Sequence, residues 1–187
     1  MKFEYARISD SLFRQEYSLP HLQEYAEMAI YATIAFSLPF LLGHEQLLVG
    51  AAVNCALVLA ALNLKGARLL PVIILPSIGA YLAGLVFGVA STALLYMLPF
   101  IWAGNALLVI SIKYFVLNKK TNRIAALCIG ATAKAAFLFL AAFALLSFGM
   151  VPVVFLTAMG VFQLATALVG GAAALAIQEG KKKFAGA

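Results

Sequence analysis

The stretch Ile124–Ser147 reads IAALCIGATAKAAFLFLAAFALLS, and its reading decides the class of the protein. It is long enough to cross a bilayer, which takes about 20 apolar residues as a helix. It holds one charge, Lys134, near its middle. A lysine at that depth costs about 2.5–3.5 kcal/mol on insertion scales, so such groups face a bundle interior or a wet cavity rather than lipid. No acid shares its depth. Glu4, Asp10, Glu16, Glu24, Glu27, Glu45 and Glu179 lie in the N-terminal arm, at helix ends or in a loop. Three states are open to Lys134: a neutral amine, an ammonium solvated by backbone and water, or an ammonium that meets an anion from outside the chain.

The remaining sequence is of the same kind. The 187 residues are 65% hydrophobic and 11% charged, with a mean hydropathy of +1.03. A soluble domain needs far more polar surface, so the chain reads as one integral membrane domain. Its polar N-terminus contains no short apolar core of the signal-peptide kind, so no cleavable signal is expected and insertion relies on the first span.

The first span is expected to start at Ser18, whose side chain can cap it, with Pro20 tolerated in the first turn. It runs to Leu42, and Gly43–Gln46 forms a turn. Leu47–Leu64 is the second span, ended by Lys65–Arg68. Leu69 to Ile112 is uncharged and too long for one helix, so it divides into two spans at Gly88–Thr92. Lys113–Arg123 closes the fourth span, Ile124–Ser147 is the fifth, and Phe148–Pro152 turns into the sixth, Val153–Ile177. The expected fold is all-α, a six-transmembrane-helix bundle: a polar arm at 1–17, the transmembrane domain at 18–178 and a basic tail at 179–187.

Of the 13 Lys and Arg residues, every one except Lys134 falls in the arm, in Lys65–Arg68, in Lys113–Arg123 or in the tail. The alternate turns hold none. By the positive-inside rule both termini are cytoplasmic, which makes this a multi-pass plasma-membrane protein, N-in and C-in. The same clustering explains the net charge of +6 as topology signals and removes the case for a nucleic-acid partner. The arm, with Leu12, Phe13 and Tyr17 among charges, is suited to lie along the cytoplasmic interface.

Catalytic and cofactor patterns are absent. Cys55 and Cys128 stand alone in apolar helices, as small packing residues do. His21 and His44 lie on opposite sides of the membrane and cannot share a haem or metal. The spans contain no acid pair and no ligand-spaced His/Glu cluster, and the chain has no phosphate-binding loop. No catalytic residue, cofactor or metal site is expected, and the chain is not read as an enzyme. Ion-coupled pumps generally need intramembrane carboxylates, and no internal repeat of the secondary-transporter kind is visible.

Polar side chains at membrane depth are the candidate site. Asn54, Asn105 and Gln163 join Lys134 on different spans, and Trp102 lies too deep for an interfacial belt. Each amide can bond a neighbouring helix for about 0.6 kcal/mol. A bundle can also bring them onto one cavity, as small-molecule sites require. Asn63, nearer the cytoplasmic end, is expected to meet water or headgroups. Pro71, Pro76 and Gly79 disturb the third span and Pro99 the fourth, which can widen a cavity on the outer side. Small residues at four-residue spacing (Ala29, Thr33 and Ser37; Ala80, Gly84 and Gly88; Ala167 and Gly171) allow close helix approach, within the chain or to a partner.

Four features in this order resemble the substrate-binding membrane subunit, or S component, of energy-coupling-factor (ECF) transporters: LPSIGAYLAGLVFG at Leu75–Gly88, LPFIWAGNALLV at Leu98–Val109, a lysine within the fifth span, and QLATALVGG at Gln163–Gly171. The resemblance covers most of the chain from Pro20 to Gly171. It implies six helices with cytoplasmic termini and capture of a vitamin or other small molecule on the outer side. A partner transmembrane scaffold and two ATPase subunits would drive release inside. It also implies a docking face on the first helix, here Ala29, Thr33 and Ser37. Metal-ion members typically carry an N-terminal histidine-rich set, and Met1-Lys2-Phe3 offers none, so an organic substrate with an anionic group is favoured. The chain departs from the family in its short outer turns. In this reading Lys134 pairs with the substrate's anion, Asn105, Asn54 and Gln163 hydrogen-bond it, and Trp102 stacks on a ring. The alternatives are an anchor or scaffold subunit of another complex, such as a redox assembly, and a small autonomous channel or permease.

Overall fold

The computed structural model describes residues 9–17, 19–43, 45–86 and 92–185. Among them all regular structure is helical, and six helical stretches are long and apolar enough to cross a membrane. In chain order the helices are α1 (His21–Leu42), α2 (Gln46–Asn63), α3 (Leu69–Val86), α4 (Thr92–Ile112), α5 (Arg123–Ser147), α6 (Val154–Met159) and α7 (Val161–Ala185). A single 3-10 turn, Gly66–Arg68, leads into α3. Each long helix is apolar nearly all round, the pattern of a span with packed faces on one side and lipid on the other.

The observed ends depart from the sequence reading in a few places. Helix α1 begins at His21, with Pro20 as N-cap and no side-chain cap. Proline's missing N–H and fixed φ suit that boundary. Ser18, the expected cap, lies outside the described residues, as do His44 in the first turn and Gly88 to Ser91 in the break between α3 and α4. The fourth span does not stop at Lys113. It continues as a π-helical segment, Lys113–Asn118. The sixth span is not one helix: α6 and α7 divide at Gly160 within the apolar stretch Val154–Lys183. Asn122 caps α5, its Oδ1 accepting from the backbone N–H of Ile124 at 2.8 Å, a cap commonly worth about 1 kcal/mol.

The helices pack most extensively as α2 on α7, α4 on α5 and α1 on α3. Two of these seams depend on a missing side chain. A Cβ on Gly79 would sit 2.2 Å from the Phe36 carbonyl oxygen, and one on Gly170 would sit 2.0 Å from that of Ala51. Backbones that close tolerate only glycine. Ala167 is fully buried and Gly171 packs on Leu127, so the small residues of the last span serve packing within the chain. Ala80 and Gly84 instead line a cavity.

Helix α2 is central, with every residue from Ala56 to Asn63 buried. Around its C-terminal half lies the larger apolar core, which includes Leu57, Leu62, Leu108, Ile112 and Leu127. A smaller core of Met97, Leu138, Ala142, Leu145 and Met159 joins α4, α5 and α6.

The basic clusters gather at one end of the bundle, and there they are largely paired. Arg68 meets Glu24 at 2.6 Å, Lys181 meets Glu27 at 2.9 Å, and Lys182 meets Glu16 at 2.9 Å. Arg123 joins Glu16 and Glu179. A buried polar chain links these pairs. Tyr31 donates to Glu27 at 2.6 Å and accepts from the Asn63 amide at 3.1 Å, while Gln178 donates to Asn63 Oδ1 at 2.8 Å and to Glu16 at 2.9 Å. Asn63 is therefore not at the water interface: it is 2% exposed and bonded on both sides.

The described part of the arm packs against this end of the bundle. Its Glu16 N–H donates to the Leu62 carbonyl at 2.8 Å, and the Gln15 amide donates to the Asn63 carbonyl at 2.8 Å. Lys113, read from the sequence as a topology charge, is 0% exposed. Its ammonium donates to the carbonyls of Arg14 at 2.6 Å and Leu64 at 2.7 Å, tying the arm to the end of α2. Those carbonyls follow or precede helix ends and lack helical donors. The lysine satisfies them.

Candidate functional site

A cavity of about 460 Å³ lies at the opposite end, among all the spans. Its rim includes Gly43 and Gln46 at the α1–α2 turn and Val154 at the start of α6. Its walls are mainly apolar, with Pro39, Val53, Pro76, Ile101, Phe155 and Phe162 among them. The volume falls within the usual range for small-molecule pockets, about 300–1,000 Å³.

Lys134, Asn54, Asn105 and Gln163 all line this one cavity, contributed by α5, α2, α4 and α7. The depth of each was legible from its distance to the helix ends. Their convergence comes from the pairing of α2 with α7 and of α4 with α5. Lys134, 2% exposed, donates to Asn54 Oδ1 at 2.6 Å. The Asn54 amide nitrogen donates to the Gly50 carbonyl at 2.9 Å and to Thr166 Oγ1 at 3.2 Å. That second bond fixes the amide so that its oxygen faces the lysine. Thr166 donates in turn to the Phe162 carbonyl at 2.8 Å.

Thr166 was missed as a site residue. The available signal was its position three residues after Gln163, which places both on one helix face. Ser77 was missed as well. It lines the cavity and donates to the Ile74 carbonyl at 3.0 Å. Asn105 donates to the Ile73 carbonyl at 2.9 Å. Ile73 and Ile74 belong to the turn before Pro76, where a proline takes a donor out of the helix ladder. The Asn105 and Ser77 side chains bond carbonyls of that turn, and α3 runs through Pro76 as one helix.

Trp102 is not part of the cavity lining. Its indole N–H donates to Ser77 Oγ at 2.8 Å, and its ring packs against the larger core. A half-buried indole needs a partner for its N–H, and Ser77, which lines the cavity, supplies one, so Trp102 supports the wall from behind it. Of the expected docking residues, Ala29 and Thr33 are exposed and Ser37 is half-buried. The neighbouring Ile30 and Ile34 are exposed too, so this face of α1 is not covered within the chain.

Among the described residues no group of three or more His, Cys, Asp and Glu side chains could hold a metal ion. None of the described residues lining the cavity carries a carboxylate, thiol or imidazole. Beneath its floor Leu57, Leu62, Leu108 and Ile112 are fully buried, and the Lys113–Asn63–Gln178 layer and the arm lie beyond them. This packed layer closes the cavity toward the basic end. Comparison with protein-family models, with curated proteins and with solved structures finds no match.

Proposed function

We propose that this chain is the substrate-capture membrane subunit of an importer of the ECF type, taking a small organic molecule from the outer side while partner subunits hydrolyse ATP. The observation that carries this reading is the cavity: four polar side chains from four helices meet in it, and a packed core closes it toward the basic end. With the basic clusters cytoplasmic, the mouth faces outward and both termini face the cytoplasm. A channel needs a continuous polar path, and the buried leucines beneath Lys134 interrupt one. A simple anchor has no use for a cavity of this size with an ammonium on its floor. Release inside then requires a conformational change driven by partners. The uncovered face of α1, with Ala29, Thr33 and Ser37, is the docking surface in this reading. Ala29→Leu and Thr33→Leu should weaken docking without unfolding the chain.

Affinity purification of the tagged chain from native membranes in mild detergent tests the reading. A transmembrane scaffold with two ATPase subunits should accompany it. Recovery with a soluble redox enzyme instead, or solute flux through the isolated chain in liposomes, would refute it.

A further inference from the structure

The cavity floor offers its donors very unevenly, and this specifies the ligand. An ammonium has three N–H donors, and among the described residues Lys134 gives one of them to Asn54. Both amide hydrogens of Asn54 are spent, on Gly50 and Thr166. The hydroxyls of Thr166 and Ser77 are spent on the Phe162 and Ile74 carbonyls. Asn105 has one amide hydrogen on Ile73. Among the described residues the floor thus presents the Lys134 amine with unclaimed donors, beside Asn54, Thr166 and Ser77 whose donors are engaged, while Asn105 and Gln163 keep amide hydrogens to give. No carboxylate among the described residues lines the cavity to neutralise a charge on Lys134, and the walls are mainly apolar. An ammonium 98% removed from solvent and lacking a counter-charge is costly, so a ligand that supplies one negative charge at that point gains most. Among the described lining residues a second negative charge would meet no further cation along the walls, and Glu45, next in sequence to the lining residue Gln46, is itself negative.

We propose that the cavity binds a small organic monoanion head-first, with a single carboxylate on Lys134 between α2, α5 and α7 and an apolar body against Ile101, Phe155 and Phe162. This rests on the capture reading and specifies its ligand. Asn54 and Thr166 act as positioning residues for the lysine, and Gln163 is free to bond a polar substituent on the body.

Three probes of one shape test the proposal on the full chain in lipid nanodiscs by isothermal titration: 3-phenylpropanoate, 3-phenylpropanamide and the dianion 4-(2-carboxyethyl)benzoate. The monoanion should bind saturably and about tenfold or more tighter than the amide, as a charge-assisted bond requires, with the dianion weaker than the monoanion. Lys134→Met removes the cation. Asn54→Asp places a carboxylate beside it. Each should abolish the preference for the monoanion over the amide. If either variant fails to fold, the wild-type order of the three probes decides alone. Equal binding of amide and monoanion, tightest binding of the dianion, or a preference that survives Asn54→Asp would overturn the monoanion assignment and leave capture standing. Absence of saturable binding by all three, down to affinities of about 1 mM, would overturn capture with it.

Discussion

Replacing Gly170 with alanine adds one methyl group at the seam that aligns the site. That carbon would stand 2.0 Å from the Ala51 carbonyl oxygen and 2.8 Å from the Cys55 nitrogen. Carbon–oxygen contacts between helices lie at about 3.3–3.6 Å. Both atoms it meets are helix backbone, so neither can swing aside and α7 must withdraw from α2 by roughly 1 Å. Overpacking of this kind costs about 1–3 kcal/mol. The Asn54–Thr166 bond crosses the same seam one turn away, at 3.2 Å. A further ~1 Å takes it past the limit for a hydrogen bond, releasing the Asn54 amide and with it the placement of Lys134. Gly170→Ala should therefore lower the unfolding midpoint in an SDS titration and weaken binding of the monoanion probe together. Gly180, on the same helix, is the control. A Cβ there meets nothing within 4 Å, so Gly180→Ala should be neutral or stabilising by up to about 1 kcal/mol. Wild-type midpoint and wild-type binding in Gly170→Ala would refute the close α2–α7 seam and its link to the site.

Other consequences follow from the same contacts. Lys113→Met removes the bridge between the Arg14 and Leu64 carbonyls and leaves the Gln15 and Glu16 bonds to the end of α2, and limited trypsin digestion should then cut after Arg14 faster than in the wild type; an unchanged rate would mean that those bonds hold the arm without the lysine. Trp102→Phe and Ser77→Ala break one shared hydrogen bond, so each should weaken probe binding by a similar amount and the double variant by no more than either; additive losses would restore an independent ligand contact to Trp102. A reporter fused after Lys183 should read as cytoplasmic, and an extracytoplasmic reading would reverse the orientation.

Much of the fold could be read from the sequence because lipid imposes length and charge rules on every span. The uncharged run between Leu69 and Ile112 had to divide, and it does, into α3 and α4. Lys134 declared itself by depth alone. What the sequence could not convey was which faces meet. The convergence of Asn54, Asn105, Gln163 and Lys134 depends on helix pairing, and the pairing depends on single glycines such as Gly79 and Gly170 whose neighbours are remote in sequence. Lys113 was misread for a related reason. A lysine at a span end looks like a topology signal, and only the folded arm turns it into a buried donor to Arg14 and Leu64. Asn63 was placed too near water because Gln178 and Tyr31, its partners, come from the far ends of the chain. Trp102 was read as a ligand platform because its depth is visible in sequence and the Ser77 hydroxyl that claims its N–H is not.

Side-specific labelling of the cavity bears on the whole reading at once. Ala158 on α6 lines the cavity, and Ala158→Cys in a chain whose Cys55 and Cys128 are replaced by serine gives one thiol there. In the proposed orientation a membrane-impermeant maleimide added to intact cells should modify it, and the same reagent presented to inverted vesicles, where the basic end would face the medium, should not. Labelling from the basic side, from both sides or from neither would contradict an outward-facing capture site closed toward the basic end.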